Sequence, residues 1–359
     1  MSRAIQLARR GLYSTDPNPR VGCVLVKDNT IVAEGWHQRA GEPHAEIIAL
    51  NAIEHNAEGS TCYVTLEPCA HKGRTPPCTD ALINANIARV VAAMSDPNPV
   101  VSGKGLEYLQ EAGIRADHGL LSSQSSELNP GFIRRMKFSM PYVRCKMAMS
   151  TDARTALASG ESKWITSSAA RMDVQRLRAR SSAIMTGIGT ILVDDPLLTV
   201  REIENYGHAP LRVVIDTALR TPCKAKILSQ SGRTLIFTQS EDRNKQQALQ
   251  EAGAEIINLP GSGKLPWLQA VLKYLAAEEE VNEILLEAGA SLSGSMLESG
   301  LLDEIIIYMA PVLLGHNAKP LFNLPAINAM SDRIQFDAYE TRMVGNDLRI
   351  SAKIDKKSN

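Results

Sequence analysis

Long apolar runs are missing from this chain of 359 residues, and so is any excess of charge. No stretch approaches the length of a membrane span, which excludes a transmembrane helix. The N-terminus lacks the charged-then-apolar pattern of a secretory signal. Lysine and arginine number 39 against 39 aspartates and glutamates, a formal net charge of zero. A broad nucleic-acid-binding surface would be basic, so none is expected, although a local phosphate pocket stays compatible. Cysteine is scarce: the six are scattered rather than spaced as a disulfide framework. Cys23, Cys62, Cys145 and Cys223 read as reduced, mostly buried thiols, which points to the cytoplasm. There is no internal repeat and no low-complexity array. What is present is 44% hydrophobic residues, enough for ordinary cores, in a chain long enough for two domains.

The most informative run is His44-Ala45-Glu46, followed by Pro68-Cys69 and then Cys78. His44, Cys69 and Cys78 supply three ligands of a type that suits Zn2+, leaving a fourth position for water, the mark of a catalytic rather than a structural metal. Zinc lowers the pKa of that water to about 7. Glu46, not itself a ligand, takes its proton and delivers it to a leaving amine. The pattern H-x-E…P-C…C is the signature of zinc deaminases acting on nucleobase-like rings. The competing reading is a structural zinc with Cys62 or His71 as fourth ligand. Cys62 lies in a β-branched run and reads better as a buried thiol. The eight residues between Cys69 and Cys78 exceed the two of the generic motif. That insert carries His71, Lys72 and Arg74. An anionic substrate group such as a phosphate would explain them, and a solvated loop is the alternative.

Spacing predicts a helix from Ala45, Ile48, Ala49, Ala52 and Ile53, with His44 and Glu46 at its first turn. A strand over 61–66 then delivers Cys69. Pro76-Pro77 open a second helix through 80–86, so that both helix N-termini point at the metal. A helix over 2–13, a hairpin of 21–26 and 31–35 around Asp28-Asn29, a strand over 89–94, a helix over 105–111 and a strand over 114–117 complete an α/β pattern. The polar run 122–126 breaks it. Arg134, Arg135 and Lys137 read as a solvated connector. The domains are expected to be 1–142 and 143–359. In the second, strands over 142–147, 183–186, 211–215, 234–238 and 283–286 suggest a mostly parallel sheet, closed by antiparallel edges over 304–310 and 348–354.

Two strand ends run into glycine-rich turns, Gly187-Ile188-Gly189-Thr190 and Ala288-Gly289-Ala290-Ser291. Such turns bring backbone N–H groups close to phosphates. Neither matches a dinucleotide fingerprint or a P-loop, and a tight turn with no ligand explains each as well; together they favour a nucleotide pocket. Between them, Asp194-Asp195-Pro196 reads as a turn. Asp194 would otherwise accept from a ribose hydroxyl and Arg201 clamp a phosphate, and spacing does not decide. Gly261-Ser262-Gly263-Lys264 follows no phosphate motif.

The order Pro17-Asn18-Pro19-Arg20-Val21-Gly22, Gly35-Trp36-His37, Pro43-His44-Ala45-Glu46, Thr65-Leu66-Glu67-Pro68-Cys69, Gly73-Arg74-Thr75-Pro76-Pro77-Cys78 and Asp96-Pro97-Asn98-Pro99 resembles one family. It is the bifunctional deaminase/reductase of bacterial riboflavin biosynthesis. The likeness continues through Ser159-Gly160-Glu161-Ser162-Lys163-Trp164-Ile165-Thr166, the Asp194 run and the Glu287 turn. It implies a cytidine-deaminase-like three-layer α/β domain followed by a dihydrofolate-reductase-like α/β domain. The implied cofactors are Zn2+ and NADPH. The implied substrate is 2,5-diamino-6-(5-phosphoribosylamino)pyrimidin-4-one, deaminated and then reduced at its ribosyl group to the ribityl product. The implied assembly is a homo-oligomer that meets small phosphoribosylaminopyrimidines, not nucleic acid or membrane.

The same resemblance assigns Asn18, His71, Arg74 and Asp96 to the deaminase substrate. It assigns Ser162, Arg178, Leu198, Arg201 and Glu287 to the reductase substrate. The cofactor falls to Ala148, Trp164, Thr190, Asp194, Thr217, Gly289, Ala290, Ser291, Leu292, Ser293, Gly294 and Ser295. By residue type alone, Leu198 would be core and Arg178 an exposed helix charge. Two positions depart from the family: Ala153 and Ala288 stand where glycine is common, and alanine resists positive φ. The competing functions are an RNA-base deaminase with a C-terminal recognition domain and a non-enzymatic zinc-stabilised binding module.

Overall fold

The computed structural model describes residues 1–70, 76–204, 206–261 and 263–354. It divides into two compact units, Met1–Met140 and Pro141 onward, with residues 206–208 joining the first. The division falls two residues before the expected 142/143, because Tyr142 already opens a strand of the second unit.

The first unit has five strands: β1 (Gly22–Lys27), β2 (Thr30–Trp36), β3 (Thr61–Val64), β4 (Arg89–Ala92) and β5 (Arg115–His118), in the order β2-β1-β3-β4-β5. β1 and β2 form the expected hairpin, with Asp28 and Asn29 at φ 50° and 60°, the left-handed pair that a tight two-residue turn demands. Six helices accompany them: α1 (Ser2–Ala8), α2 (Ala45–Asn51), α3 (Cys78–Asn84), α4 (Lys104–Glu111), α5 (Ser122–Ser126) and α6 (Pro130–Phe138).

The alternation of β1 explains the three layers. Val24 packs with Ala4 and Leu7 of α1, while Cys23 and Leu25 join Ala45 and Ala49 of α2 in the opposite core. Glycine lets both helices touch the sheet. A Cβ on Gly22 would lie 2.0 Å from the Ala4 carbonyl oxygen, and one on Gly35 would lie 2.2 Å from that of Ala45.

Two expectations change here. The first helix stops at Ala8 and tightens into a 3-10 turn, Arg9–Gly11. The polar run 122–126, expected to break the pattern, is helical as α5. Its Ser125 is buried and donates its hydroxyl to the Thr65 carbonyl at 2.5 Å, so a polar side chain satisfies an internal backbone group.

The second unit is built on nine strands: β6 (Tyr142–Ser150), β8 (Ala183–Gly187), β9 (Leu211–Ile215), β10 (Thr234–Thr238), β11 (Glu255–Asn258), β12 (Glu283–Leu286), β13 (Glu304–Ala310), β15 (Phe336–Val344) and β16 (Asp347–Ile354), in the order β11-β10-β9-β8-β12-β6-β13-β16-β15. A two-stranded sheet of β7 (Arg154–Ala156) and β14 (Lys319–Pro320) accompanies it. The helices are α7 (Ser168–Ala179), α8 (Ile188–Asp194), α9 (Arg243–Glu251), α10 (Lys264–Ala277) and α11 (Ala290–Glu298).

β11 through β13 run parallel, as continuous Val/Ile/Leu runs demand when helices cover both faces. Residues 304–310 were expected at an antiparallel edge. β13 instead pairs parallel with β6, and the antiparallel pairs are β13 with β16 and β16 with β15. β15 escaped the sequence reading because its Tyr339 and Met343 are exposed, so no buried face marks its period. Among the described residues no helix is long and apolar enough to cross a membrane.

Candidate functional sites

His44 is the N-cap of α2, Glu46 lies in its first turn, and Cys78 is the first residue of α3. Cys69 follows β3 after the bend at Thr65 and Leu66. His44 Nδ1 lies 3.2 Å from Cys78 Sγ and 3.6 Å from Cys69 Sγ, and the three ligand atoms all fall within 4.8 Å of one another. Ligands at zinc-like bond lengths in a tetrahedron stand about 3.6 Å apart, so the donor set fits Zn2+. Among the described residues the cluster holds three donors. Cys62 is not one of them: its Sγ faces Cys23 Sγ at 3.5 Å inside the core. His71 and Arg74 lie outside the described residues.

The electrostatics suit a cation. Hydrogen bonds from Cys78 and from His44 pull the Cys69 thiol down to about 4 against its burial. The Cys78 thiol moves up, because it holds the hydrogen bond to Cys69 and is buried. The pair thus gives up one proton readily and keeps the other. Glu46 is 3% exposed, and burial raises its pKa, which suits a carboxyl that must hold a proton for part of a cycle.

A histidine without an assigned role stands beside this cluster. His37 packs edge-on against His44 with ring centroids 5.5 Å apart. Its Nδ1 donates to the Pro43 carbonyl at 3.1 Å, so in the neutral ring Nε2 accepts from Asn18 Nδ2 at 3.1 Å. Burial lowers the His37 pKa and keeps the ring neutral. This fixes the Asn18 amide with its nitrogen toward His37. The signal lay in the Gly35-Trp36-His37 run.

Glu67, next to Pro68-Cys69, is 5% exposed and accepts from the N–H groups of Asp96 (2.8 Å), Gly103 (2.9 Å), Gly105 (2.8 Å) and Leu106 (3.4 Å). It binds the Asp96 loop to the metal-bearing bend. Asp96 Oδ1 in turn accepts from the Asn98 N–H at 2.8 Å.

In the second unit the expected positions gather at the carboxyl ends of parallel strands, where open α/β sheets bind ligands. Ala148 lies toward the end of β6. Thr190 and Asp194 lie on α8 after β8, and Thr217 follows β9. Glu287 and Gly289 follow β12, a neighbour of both β8 and β6. The two glycine-rich turns meet: a Cβ on Gly187 would lie 3.3 Å from Leu292 Cδ2. Gly189 and Gly289 have no atom within 4 Å of where a Cβ would stand. Gly289 caps α11, so the first-turn N–H groups of Ala290, Ser291 and Leu292 open there. That open, donor-lined cradle fits a dinucleotide phosphate.

Ser293, Gly294 and Ser295 are buried. The Ser293 and Ser295 hydroxyls donate to the Ala288 and Ser291 carbonyls at 3.3 and 2.7 Å, and a Cβ on Gly294 would lie 2.2 Å from the Asn323 backbone oxygen. These three pack inside, where they support α11. Trp164 is 71% exposed and stacks on Arg171 at 4.5 Å.

Arg178 is largely buried, contrary to its residue type on a helix. It donates to Glu287 from Nε at 2.6 Å and from Nη2 at 3.0 Å, and from Nη1 to the Thr199 carbonyl at 2.9 Å. Burial alone would raise the Glu287 carboxyl, but Arg178, then Lys146 and Arg201, hold it below its ordinary value. Lys146, on β6, was not anticipated from sequence; burial lowers its pKa and Glu287 opposes that fall. Arg201 is exposed, with its N–H held by Gln175 Oε1 at 2.9 Å. Ser162 is half-buried in the loop before α7. Leu198 is 3% exposed at φ 48°, its side chain in the core with Ile184 and Val214. Only its backbone is available to a substrate.

Residues 1–94 match the family model described as the cytidine and deoxycytidylate deaminase zinc-binding region, and residues 141–350 match that of the RibD C-terminal domain. The riboflavin biosynthesis protein RibD of Escherichia coli (strain K12) is 48% identical, over 97% of this chain and 96% of that protein. The solved structure of Acinetobacter baumannii RibD (form 1) is 44% identical, with a TM-score of 0.92 over 99% of this chain and 98% of its own. A diaminohydroxyphosphoribosylaminopyrimidine deaminase/5-amino-6-(5-phosphoribosylamino)uracil reductase from Thermotoga maritima is 32% identical, with a TM-score of 0.87 over 99% and 97%. The chain belongs to the RibD family, the bifunctional deaminase/reductases of riboflavin biosynthesis.

Proposed function

We propose that the first unit removes the 2-amino group of 2,5-diamino-6-(5-phosphoribosylamino)pyrimidin-4-one as ammonia. The second unit then reduces the ribosyl group of the resulting uracil to ribityl. The observation that carries the first step is the three-donor cluster with buried Glu46 two residues after His44. His44, Cys69 and Cys78 would hold zinc, which when bound makes water acidic enough to attack at neutral pH. Glu46 carries the proton from that water to the departing amine through its carboxyl oxygen. Asn18, its nitrogen turned to His37, presents its carbonyl oxygen as an acceptor to the substrate, and Glu67 keeps the Asp96 loop beside it.

In the second unit NADPH supplies the hydride. The first turn of α11, with Gly289, Ala290, Ser291 and Leu292, and Ala148, Trp164, Thr190, Asp194 and Thr217 are proposed to hold it. Arg178 fixes Glu287, and Ser162, Leu198 (through its backbone), Arg201 and Glu287 orient the sugar phosphate. His71 and Arg74 are proposed for the substrate phosphate of the deaminase. We further propose a cytoplasmic homo-oligomer.

The test is mass spectrometry of products from zinc-loaded protein given the diaminopyrimidine, with and without NADPH. The expected masses are the deaminated uracil without NADPH and its ribityl derivative with it. An unchanged substrate in both reactions refutes the proposal.

A further inference from the structure

The turn after β9 is Asp216-Thr217-Ala218-Leu219-Arg220, and several bonds fix it. The Leu219 N–H donates to the Asp216 carbonyl at 3.3 Å. Leu219 has φ 52°, and its side chain is buried in the core with Val214 and Leu198. A left-handed leucine persists only where the surroundings over-determine it, and such positions cluster at ligand sites. The Thr217 carbonyl accepts from the Gln239 N–H and from the Thr238 hydroxyl, each at 3.2 Å.

The sheet order says what meets this turn. The proposed hydride site stands at β6 and β12, with Ala148 and Glu287, and the glycine-rich turns follow β8 and β12. β9 comes next, beyond β8 and three strand spacings of about 4.8 Å from β6. A dinucleotide with its nicotinamide at β6 and its phosphates at those turns brings its adenosine ribose to the end of β9.

A strand end that receives a free ribose 2′-hydroxyl offers it a carboxylate, and one that receives a 2′-phosphate offers an arginine. The turn after β9 holds both residue types, and the fold gives them different tasks. Asp216 is 0% exposed. Its Oδ2 accepts from the N–H groups of Arg220 and Thr221, both at 2.8 Å, and from the Thr221 hydroxyl at 2.7 Å. Its Oδ1 is buried as well, so no ribose hydroxyl reaches the carboxylate. The same bonds anchor the backbone from which Arg220 projects. Arg220 is exposed, and among the described residues its guanidinium has no hydrogen-bond or ion-pair partner. A planar guanidinium fork matches the oxygens of a phosphate. Thr217, also exposed, adds a hydroxyl beside it.

We propose that Arg220 grips the 2′-phosphate of NADPH and is the residue that selects this cofactor over NADH. The inference rests on the cofactor reading above and deepens it by naming the selecting side chain.

Isothermal titration of the full chain with NADP+, NAD+ and adenosine 2′,5′-bisphosphate tests it. The parent is expected to bind NADP+ at least tenfold more tightly than NAD+. Arg220→Ala removes a charge-assisted pair. It should raise the dissociation constants of NADP+ and of the bisphosphate at least tenfold and leave that of NAD+ within twofold. If Arg220→Ala fails to fold by circular dichroism, Arg220→Gln takes its place with the same expectation. Equal weakening of NADP+ and NAD+, no change in either, or a parent that binds both alike overturns the inference and leaves the cofactor site itself in place. A parent that binds neither dinucleotide refutes the cofactor reading, and the inference with it.

Discussion

Arg178 holds Glu287 with two nitrogens at 2.6 and 3.0 Å, joining α7 to the end of β12. Both side chains are largely buried, at 11% and 13% exposed. Removing one partner leaves the other's charge without compensation, at a cost of roughly 3–5 kcal/mol. Arg178→Ala should therefore lower the second unit's melting temperature, and NADPH oxidation should fall at least about tenfold. Ammonia release should stay within about twofold of the parent, since the deaminase residues are unchanged. Parallel loss of both activities would contradict separate sites.

The same pair sets a pH dependence. Glu287 is held below its ordinary carboxyl value, chiefly by Arg178 working against burial. A lowered folded value contributes stability that is complete above the unfolded value, about 4.3. It is lost as the pH falls through the folded value. Melting temperature of the second unit should decline below about pH 4.3 in the parent. Glu287→Gln should remove this part of the decline. Identical pH profiles for the two proteins would show that the pair does not contribute.

Glu46→Gln keeps the shape of the buried side chain and none of its proton transfer. Zinc content, measured by atomic absorption, should match the parent, because the three donors are intact. Ammonia release should fall by about 10²–10⁴, with NADPH oxidation of pre-deaminated substrate unchanged. Undiminished ammonia release would remove Glu46 from the reaction.

The zinc cluster was legible in sequence because short-range order carries it. His44 and Glu46 are fixed by the first turn of α2, Cys69 by the end of β3 and Cys78 by the start of α3 after Pro76-Pro77. His37 and Glu67 were within quoted runs but had no visible task. Their partners, Asn18 and the 96–106 loop, become neighbours only when β1, β2 and the β3 bend are assembled. In the second unit the parallel strands were legible as apolar runs, whereas β15, with its apolar residues exposed, was not. Arg178 and Lys146 could not be found by residue type, since charge predicts solvent and Glu287 becomes their counter-charge only in the fold.

Glu67 offers a check on positioning. Its carboxylate gathers N–H groups from Asp96, Gly103 and Gly105, and an orphaned buried donor costs about 1–3 kcal/mol. Glu67→Ala should destabilise the first unit by at least about 2 kcal/mol. The KM for deamination should rise more than kcat falls, with zinc retained. Loss of zinc with unchanged KM in the loaded fraction would assign Glu67 to the metal bend alone.

Ala153 and Ala288, the two departures from glycine, turn out differently. Ala288 is not among the residues with positive φ, so alanine sits there without strain. Ala153 has φ 56°, in the turn between β6 and β7, where its N–H bonds the Ser150 carbonyl at 3.0 Å. The left-handed conformation costs an L-residue roughly 1–2 kcal/mol that glycine avoids. Glycine gives back part of this through the greater freedom of its unfolded chain. The turn is held independently by Asp152, which accepts from Leu314 and Gly315 N–H at 3.1 and 2.8 Å, so the substitution has no need to rebuild it. Ala153→Gly should stabilise the second unit by about 1 kcal/mol, raising its melting temperature by roughly 2–4 °C. A fall in melting temperature would mean that chain entropy outweighs the strain at this turn.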